Sequence, residues 1–151
     1  MIKLAKLIST FFGLGLFPLA PGTLASLMVT VLYRYYLHRL HWWLYLMILL
    51  VIIAAGVYFS TIYARSLNLK DPGKVVIDEV AGQMLALFLV RPDWGPVAAA
   101  FILFRFLDIL KPMGVKKLEN LSEGWGIMAD DLGTGLVVNL LIHAAIIFFK
   151  L

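Results

Sequence analysis

Three stretches of the chain carry no Asp, Glu, Lys or Arg for eighteen residues or more: residues 7–33, 40–64 and 132–149. A helix needs about 20 apolar residues to span the hydrocarbon of a bilayer, so the second and third predict membrane helices outright. The first is interrupted by Gly13, Gly15, Pro18, Pro21 and Gly22. These split a short leading segment from a helix over residues 23–37, whose Arg34 can snorkel out at the far end. Two further apolar runs, 80–90 and 94–104, are separated by Arg91-Pro92-Asp93. Each is short alone, but with its charged flanks facing a bundle interior it extends into a span, over 75–90 and 96–110. The expectation is an all-α fold: a polytopic membrane bundle of about five transmembrane helices behind a glycine/proline-rich leading segment.

Composition points the same way. The chain is 62% apolar and 15% charged, whereas a soluble domain is about half apolar and about a quarter charged. One small core could not bury that much apolar surface. A length of 151 residues predicts one domain, 1–151. The absence of cysteine excludes disulfides, a thiolate nucleophile and cysteine-bound metal. A net charge of +4 suits anionic lipid headgroups better than nucleic acid, since no basic stripe interleaves with aromatics. Lys3 and Lys6 ahead of an apolar stretch imitate a signal peptide. The Gly/Pro interruptions and the lack of a clean small-residue cleavage site assign this stretch to the mature protein. With five crossings, Lys3, Lys6, Arg65, Lys70, Lys74, Lys111, Lys116 and Lys117 share one side, against Arg34, Arg39, Arg91 and Lys150 on the other. That bias predicts a cytoplasmic N-terminus.

The acidic residues are not scattered. Asp71, Asp78, Glu79, Asp108, Glu119, Glu123, Asp130 and Asp131 all fall in or beside segments predicted near the cytoplasmic face, leaving Asp93 as the acid elsewhere. Carboxylates in membrane helices are costly and are retained mainly for function. Asp78 and Glu79 open the third helix, with Gln83 one turn on. Arg105, Asp108 and Lys111 recur every three residues, along one face of the fourth. Asp130 and Asp131 stand before the predicted fifth helix, where they could cap its free amides. Plainer readings exist for each: a helix cap, an ion pair of Asp108 with Arg105 or Lys111, an interfacial acidic pair. Taken together, the clusters would repel one another unless a cation sat among them. All-oxygen ligands suit Mg²⁺, and Asp78, Glu79, Asp108, Asp130 and Asp131 are the expected ligands and catalytic groups.

Two glycine-rich segments flank these acids, Gly13 through Thr23 and Gly124-Trp125-Gly126-Ile127-Met128. Either could let backbone amides approach a phosphate, with Thr23 at a helix N-terminus, or could serve close helix packing or a re-entrant turn. His38 and His41 lie beside Trp42 and Trp43 and read as an interfacial belt. His143 reads as a packed residue, with Asn139 one turn earlier as its partner.

The phrases Gly13 to Thr23, Asp78-Glu79-Val80-Ala81-Gly82-Gln83, Phe104-Arg105-Phe106-Leu107-Asp108-Ile109-Leu110-Lys111-Pro112 and Gly124-Trp125-Gly126-Ile127-Met128-Ala129-Asp130-Asp131, with Gly135 following, resemble the phosphatidylglycerophosphatase A family over nearly the whole chain. Gly114 stands where proline is expected and Glu119 where aspartate is common. The resemblance implies a Mg²⁺-dependent bacterial inner-membrane enzyme that hydrolyses phosphatidylglycerol phosphate to phosphatidylglycerol and inorganic phosphate. Arg105 and Lys111, sharing a helix face with Asp108, are the expected clamp on the phosphoryl group, and Thr23 with the glycine-rich backbone, Gly22 and Gly126, is expected to hold the phosphate or the glycerol linkage. The alternatives are a phosphatidic acid phosphatase, a CDP-alcohol phosphatidyltransferase-like enzyme, and a small cation transporter. The transferase phrase beginning Asp-Gly is missing from the chain, and a transporter needs acids along a path across the bilayer.

Overall fold

The computed structural model of the chain describes residues 1–70, 72–110 and 124–149. Its helices are α1 (Ile2–Ser9), α2 (Pro21–Tyr35), α3 (Trp42–Leu67), α4 (Ile77–Leu87), α5 (Trp94–Leu110) and α6 (Gly124–Phe149), with short 3-10 turns at Leu14–Leu16 and Leu37–Arg39. No strand occurs among the described residues. The leading segment is the short helix α1, closed by a left-handed turn through Phe11, Phe12 and Gly13. Pro21 starts α2 at the position where a missing N–H costs nothing. The buried hydroxyls of α2 are satisfied one turn back, Ser26 to Gly22 O at 2.9 Å and Thr30 to Ser26 O at 2.8 Å. Asn68 ends α3 in the left-handed conformation, and Leu69 N–H returns to Ala64 O.

Two helices, α3 and α6, are long and apolar enough to cross a membrane. Both carry outward-facing apolar side chains, among them Leu50, Val51, Leu140 and Ile147, and α5 does the same with Ile102 and Phe106. Tyr36, Trp42, Trp43 and Trp94 are exposed together around one end of the bundle, where amphipathic rings favour the headgroup region. There Arg34 lies over the Trp94 ring at 5.5 Å, and His38 Nδ1 lies 2.9 Å from Tyr33 O.

Helix α4 is the centre of the molecule. Nine of its eleven residues are buried, and it packs on α2, α3, α5 and α6, as expected of a helix apolar on nearly all faces. It is shorter than the span over 75–90 that periodicity predicts. The chain leaves the helix after Leu87, with Leu89 at φ 59°, and the freed carbonyls find side chains. Tyr45 Oη donates to Met84 O at 2.8 Å, Asn139 Nδ2 to Ala86 O at 3.2 Å and Phe88 O at 2.8 Å, and Tyr33 Oη to Val90 O. Buried irregular backbone is tolerated only where protein satisfies it. Asn139 therefore serves α4, and its backbone oxygen, not its side chain, lies 2.9 Å from His143 Nδ1.

The last helix begins at Gly124 instead of residue 132, so Asp130 and Asp131 are interior to it. The cap reading is overturned, and of the two readings of 124–128 the close helix packing holds for Gly124. Packing explains the early start. A Cβ on Gly124 would lie 2.0 Å from Val57 O, so glycine lets the first turn of α6 lie against α3. The α4 and α6 backbones run side by side through Gly82 and Gly135, where a Cβ on Gly135 would sit 2.2 Å from Gly82 O.

Candidate active site

Parallel packing of α4 and α6 brings their N-terminal turns to one end of the bundle. Asp78 and Glu79 lie in the first turn of α4, where acids are favoured by the helix dipole, and Asp78 Oδ1 accepts from Glu79 N–H at 3.0 Å. Asp131 reaches them from α6. One carboxylate oxygen from each of Asp78, Glu79 and Asp131 lies within 4.8 Å of the other two. Asp108, from the last turns of α5, and Asp130 both neighbour Asp131. Asp78, Glu79 and Asp131 therefore gather, Asp108 joins them through Arg105, and Asp130 stands next to Asp131 along α6; Asp78, Asp108, Asp130 and Asp131 are each no more than 9% exposed.

Arg105 is the cation of the cluster among the described residues. Its Nη1 lies 2.6 Å from Asp108 Oδ2 and 3.9 Å from Glu79 Oε1. The ion-pair reading of Asp108 thus holds alongside the cluster, since one guanidinium cannot neutralise five carboxyls. Elsewhere, Asp93 pairs with Arg91 at 3.3 Å on the exposed far end.

The N-terminus of α2 forms the next wall. A Cβ on Gly22 would lie 1.8 Å from Glu79 Oε1, so Gly22 is bare because the carboxylate occupies its side-chain space. Thr23 follows it, half-buried in the first turn of α2. Gly15 has a packing role, since its Cβ would lie 2.0 Å from Lys74 O. The same neighbourhood is tied by Val76 N–H to Ser9 O at 3.0 Å. Gly126 is a buried helical residue in the first turn of α6. Lys111, Asp71, Gly114, Glu119 and Glu123, and with them the Lys-Pro phrase, lie outside the described residues.

Sequence reasoning does not single out Thr134 or the capping by Tyr33 and Tyr45, and it marks Asn139 as a partner of His143 but not as a cap of α4. Thr134 could have been found as the residue three beyond Asp131, on the same helix face. The capping residues carry no local signal, because their partners lie 39 to 57 residues away.

The arrangement is a buried cluster of acids with one guanidinium, at the end of the bundle where α2, α4 and α6 begin and α5 closes. Such a donor set holds a hard cation and an anionic oxygen group together. The family model described as "Phosphatidylglycerophosphatase A" matches residues 7–146. A protein named phosphatidylglycerophosphatase A from Escherichia coli (strain K12) is 37% identical over 145 residues, covering 95% of this chain and 81% of the relative. One of the same name from Haemophilus influenzae is 35% identical, covering 91% and 86%. A Bacteroides thetaiotaomicron protein named "Putative phosphatidylinositol-3-phosphatase" is 38% identical, covering 94% and 93%. No solved structure matches the chain at a significant level. The chain belongs to the phosphatidylglycerophosphatase A family and is a phosphatase.

Proposed function

We propose that the chain hydrolyses the terminal phosphomonoester of phosphatidylglycerol phosphate, giving phosphatidylglycerol and inorganic phosphate, with Mg²⁺ as cofactor. The observation that carries the reading is the buried gathering of Asp78, Glu79 and Asp131 beside Asp108, Asp130 and Arg105, in a chain of this family. The residues fit the ion: the donors are all oxygen and close together, and Gly22 leaves room for the Glu79 carboxylate. Asp78, Glu79 and Asp131 would hold Mg²⁺, with Asp108 and Asp130 beside them. When bound, the ion polarises phosphoryl oxygens and lowers the pKa of a ligated water.

The side chains do the rest. Arg105, held by Asp108, offers a fixed positive charge to the phosphoryl oxygens as their charge develops, and Lys111 would supply a second. Thr23 and the first-turn amides of α2, beside Gly22, would bind the phosphate or the glycerol linkage. Gly126 would allow close approach from α6. A carboxylate of the cluster takes the proton of the attacking water.

We further read the protein as a multi-pass protein of the bacterial inner membrane with its site on the cytoplasmic side. In support, α2, α4 and α6 run one way and α3 and α5 the other. Gly22 meets Glu79 and Tyr33 meets Val90, whereas Tyr45 of α3 meets Met84 near the C-terminal end of α4 and Arg105 of α5 meets Glu79 at its N-terminal end. Five alternating segments put α1, Lys70 and Lys74 on the site's side. A lipid substrate could then keep its acyl chains among the apolar helix faces while the headgroup enters.

A phosphoinositide is the second reading, favoured by the Bacteroides relative. The test is phosphate release by purified protein with Mg²⁺ from phosphatidylglycerol phosphate, phosphatidylinositol 3-phosphate and phosphatidic acid, and CMP release from CDP-diacylglycerol with an alcohol. Release chiefly from the first supports the proposal. Preference for the second or third reassigns the substrate, and CMP release moves the protein to the transferases.

A further inference from the structure

One turn inside the carboxylates, α4 and α6 bury a second set of polar groups. Gln83 is 0% exposed, and neither its Nε2 nor its Oε1 has a hydrogen-bond partner. Thr134 is 1% exposed and its Oγ1 is likewise unpartnered. Gln83 follows Glu79 by four residues on α4, and Thr134 follows Asp131 by three on α6, so each points the same way as the acid before it. The two helices touch backbone to backbone at Gly82 and Gly135, the immediate neighbours of Gln83 and Thr134.

Among the described residues the bundle satisfies its other buried neutral side chains. Thr30 and Ser26 bond to carbonyls one turn back, and Asn139, Tyr45 and Tyr33 cap α4. Thr134 does not back-bond as Thr30 does. An unpaired buried amide is costly, and methionine would fill the volume of Gln83 without that cost. The four unpaired atoms here are complementary to one small molecule. Gln83 Nε2 and Thr134 Oγ1 carry protons, while Gln83 Oε1 and Glu79 Oε2 accept them. A buried water has two protons to give and two lone pairs, and such waters bridge groups of this kind.

We propose that Gln83 and Thr134 hold a water molecule against Glu79 on the inner side of the carboxylate cluster, which makes Gln83 and Thr134 positioning residues for the Glu79 carboxylate. The outer oxygen of Glu79 already faces Arg105, so the water would fix the other end. The effect of the pair on turnover rests on the phosphatase reading above. The water itself does not.

Two measurements test it. An experimental structure of the wild-type chain at a resolution that shows waters is expected to place density bridging Gln83, Thr134 and Glu79. In steady-state phosphate release with Mg²⁺, Gln83→Met and Thr134→Val should lower kcat by about 10-fold or more with KM within about 2-fold, while Thr134→Ser retains turnover. Melting in excess chelator is expected to leave Gln83→Met and Thr134→Val no less stable than wild type. Absence of the density, wild-type kcat in Gln83→Met, or a lower Tm in chelator would each overturn the proposal, the last by showing a structural role. Bridging density in a protein that releases phosphate from none of the lipids would sink the functional reading and leave the water site standing.

Discussion

Gly135→Ala tests whether the α4–α6 contact sets the geometry of the site. The new methyl would stand 2.2 Å from Gly82 O and 3.0 Å from Gly82 C. Both atoms are backbone, so no side chain can rotate away. Ordinary contact begins near 3.4 Å, so the two helices must separate locally by about 1 Å in a core packed to crystal-like density. Asp131 lies one turn before Gly135, and Glu79 lies three residues before Gly82, so the gap opens between the two carboxylates that share the cluster. Misplacing catalytic groups by about 1 Å can cost about 10²-fold in rate, and overpacking of this kind destabilises by about 1–3 kcal/mol. The expected outcome is a folded protein with a lowered Tm and about 10²-fold less kcat/KM for phosphate release. Gly95→Ala is the control, since a Cβ there meets nothing within 4 Å, and it should behave as wild type. Wild-type turnover in a Gly135→Ala protein that still needs Mg²⁺ would refute the reasoning: the spacing of α4 and α6 would then not set the site.

Single replacements Asp78→Asn, Glu79→Gln and Asp131→Asn should each lower phosphate release by about 10²-fold or more while far-UV circular dichroism stays unchanged, as expected when a group acts on transition-state charge. Excess chelator should abolish wild-type activity, and full turnover in chelator would exclude the metal. Arg105→Lys should lose about 10-fold or more in kcat, because an ammonium cannot reproduce the planar fork held by Asp108; equal rates would remove Arg105 from the phosphoryl clamp. Asn139→Leu leaves Ala86 O and Phe88 O without their donor and should destabilise by about 1–3 kcal/mol, read as a lowered Tm with little change in KM. Single cysteines at Lys74 and Arg91 should label from opposite faces of sealed vesicles, and labelling from one face would disprove the alternating topology.

What the sequence displayed was what depends on local pattern. Five principal helices follow from apolar runs and Gly/Pro punctuation, and Asp78, Glu79, Asp108, Asp130 and Asp131 sort to one end because charge is costly elsewhere in such a bundle. The failures lie where tertiary contacts override local signals. For Gly124 and Gly126 the sequence leaves phosphate approach and helix packing both open, and only the contact of the Gly124 backbone with α3 decides for packing there. Asp130 and Asp131 then move from a cap position to two turns inside α6, which is what lets Asp131 meet Glu79. Gly22 shows the converse: its place beside the site was legible, but its neighbour is the Glu79 carboxylate.

Helix α4 explains why these features occur together. At eleven residues and 1.5 Å per residue it is about 17 Å long, roughly half of a hydrocarbon core of about 30 Å. Protein meets both ends of this short helix. The C-terminal end receives Tyr33, Tyr45 and Asn139, which satisfy its carbonyls and fix how deep the helix sits. Its N-terminal end, with Asp78 and Glu79, is thereby held beside Asp131, Asp108 and Arg105. Acids in a dry setting would be expelled from a mobile element, because burial of charge is tolerated only with partners in fixed places. The capping side chains at one end of α4 and the carboxylates at the other are thus coupled through one rigid helix. On this view a substitution among the caps that lets α4 slide should lower turnover without touching any acid.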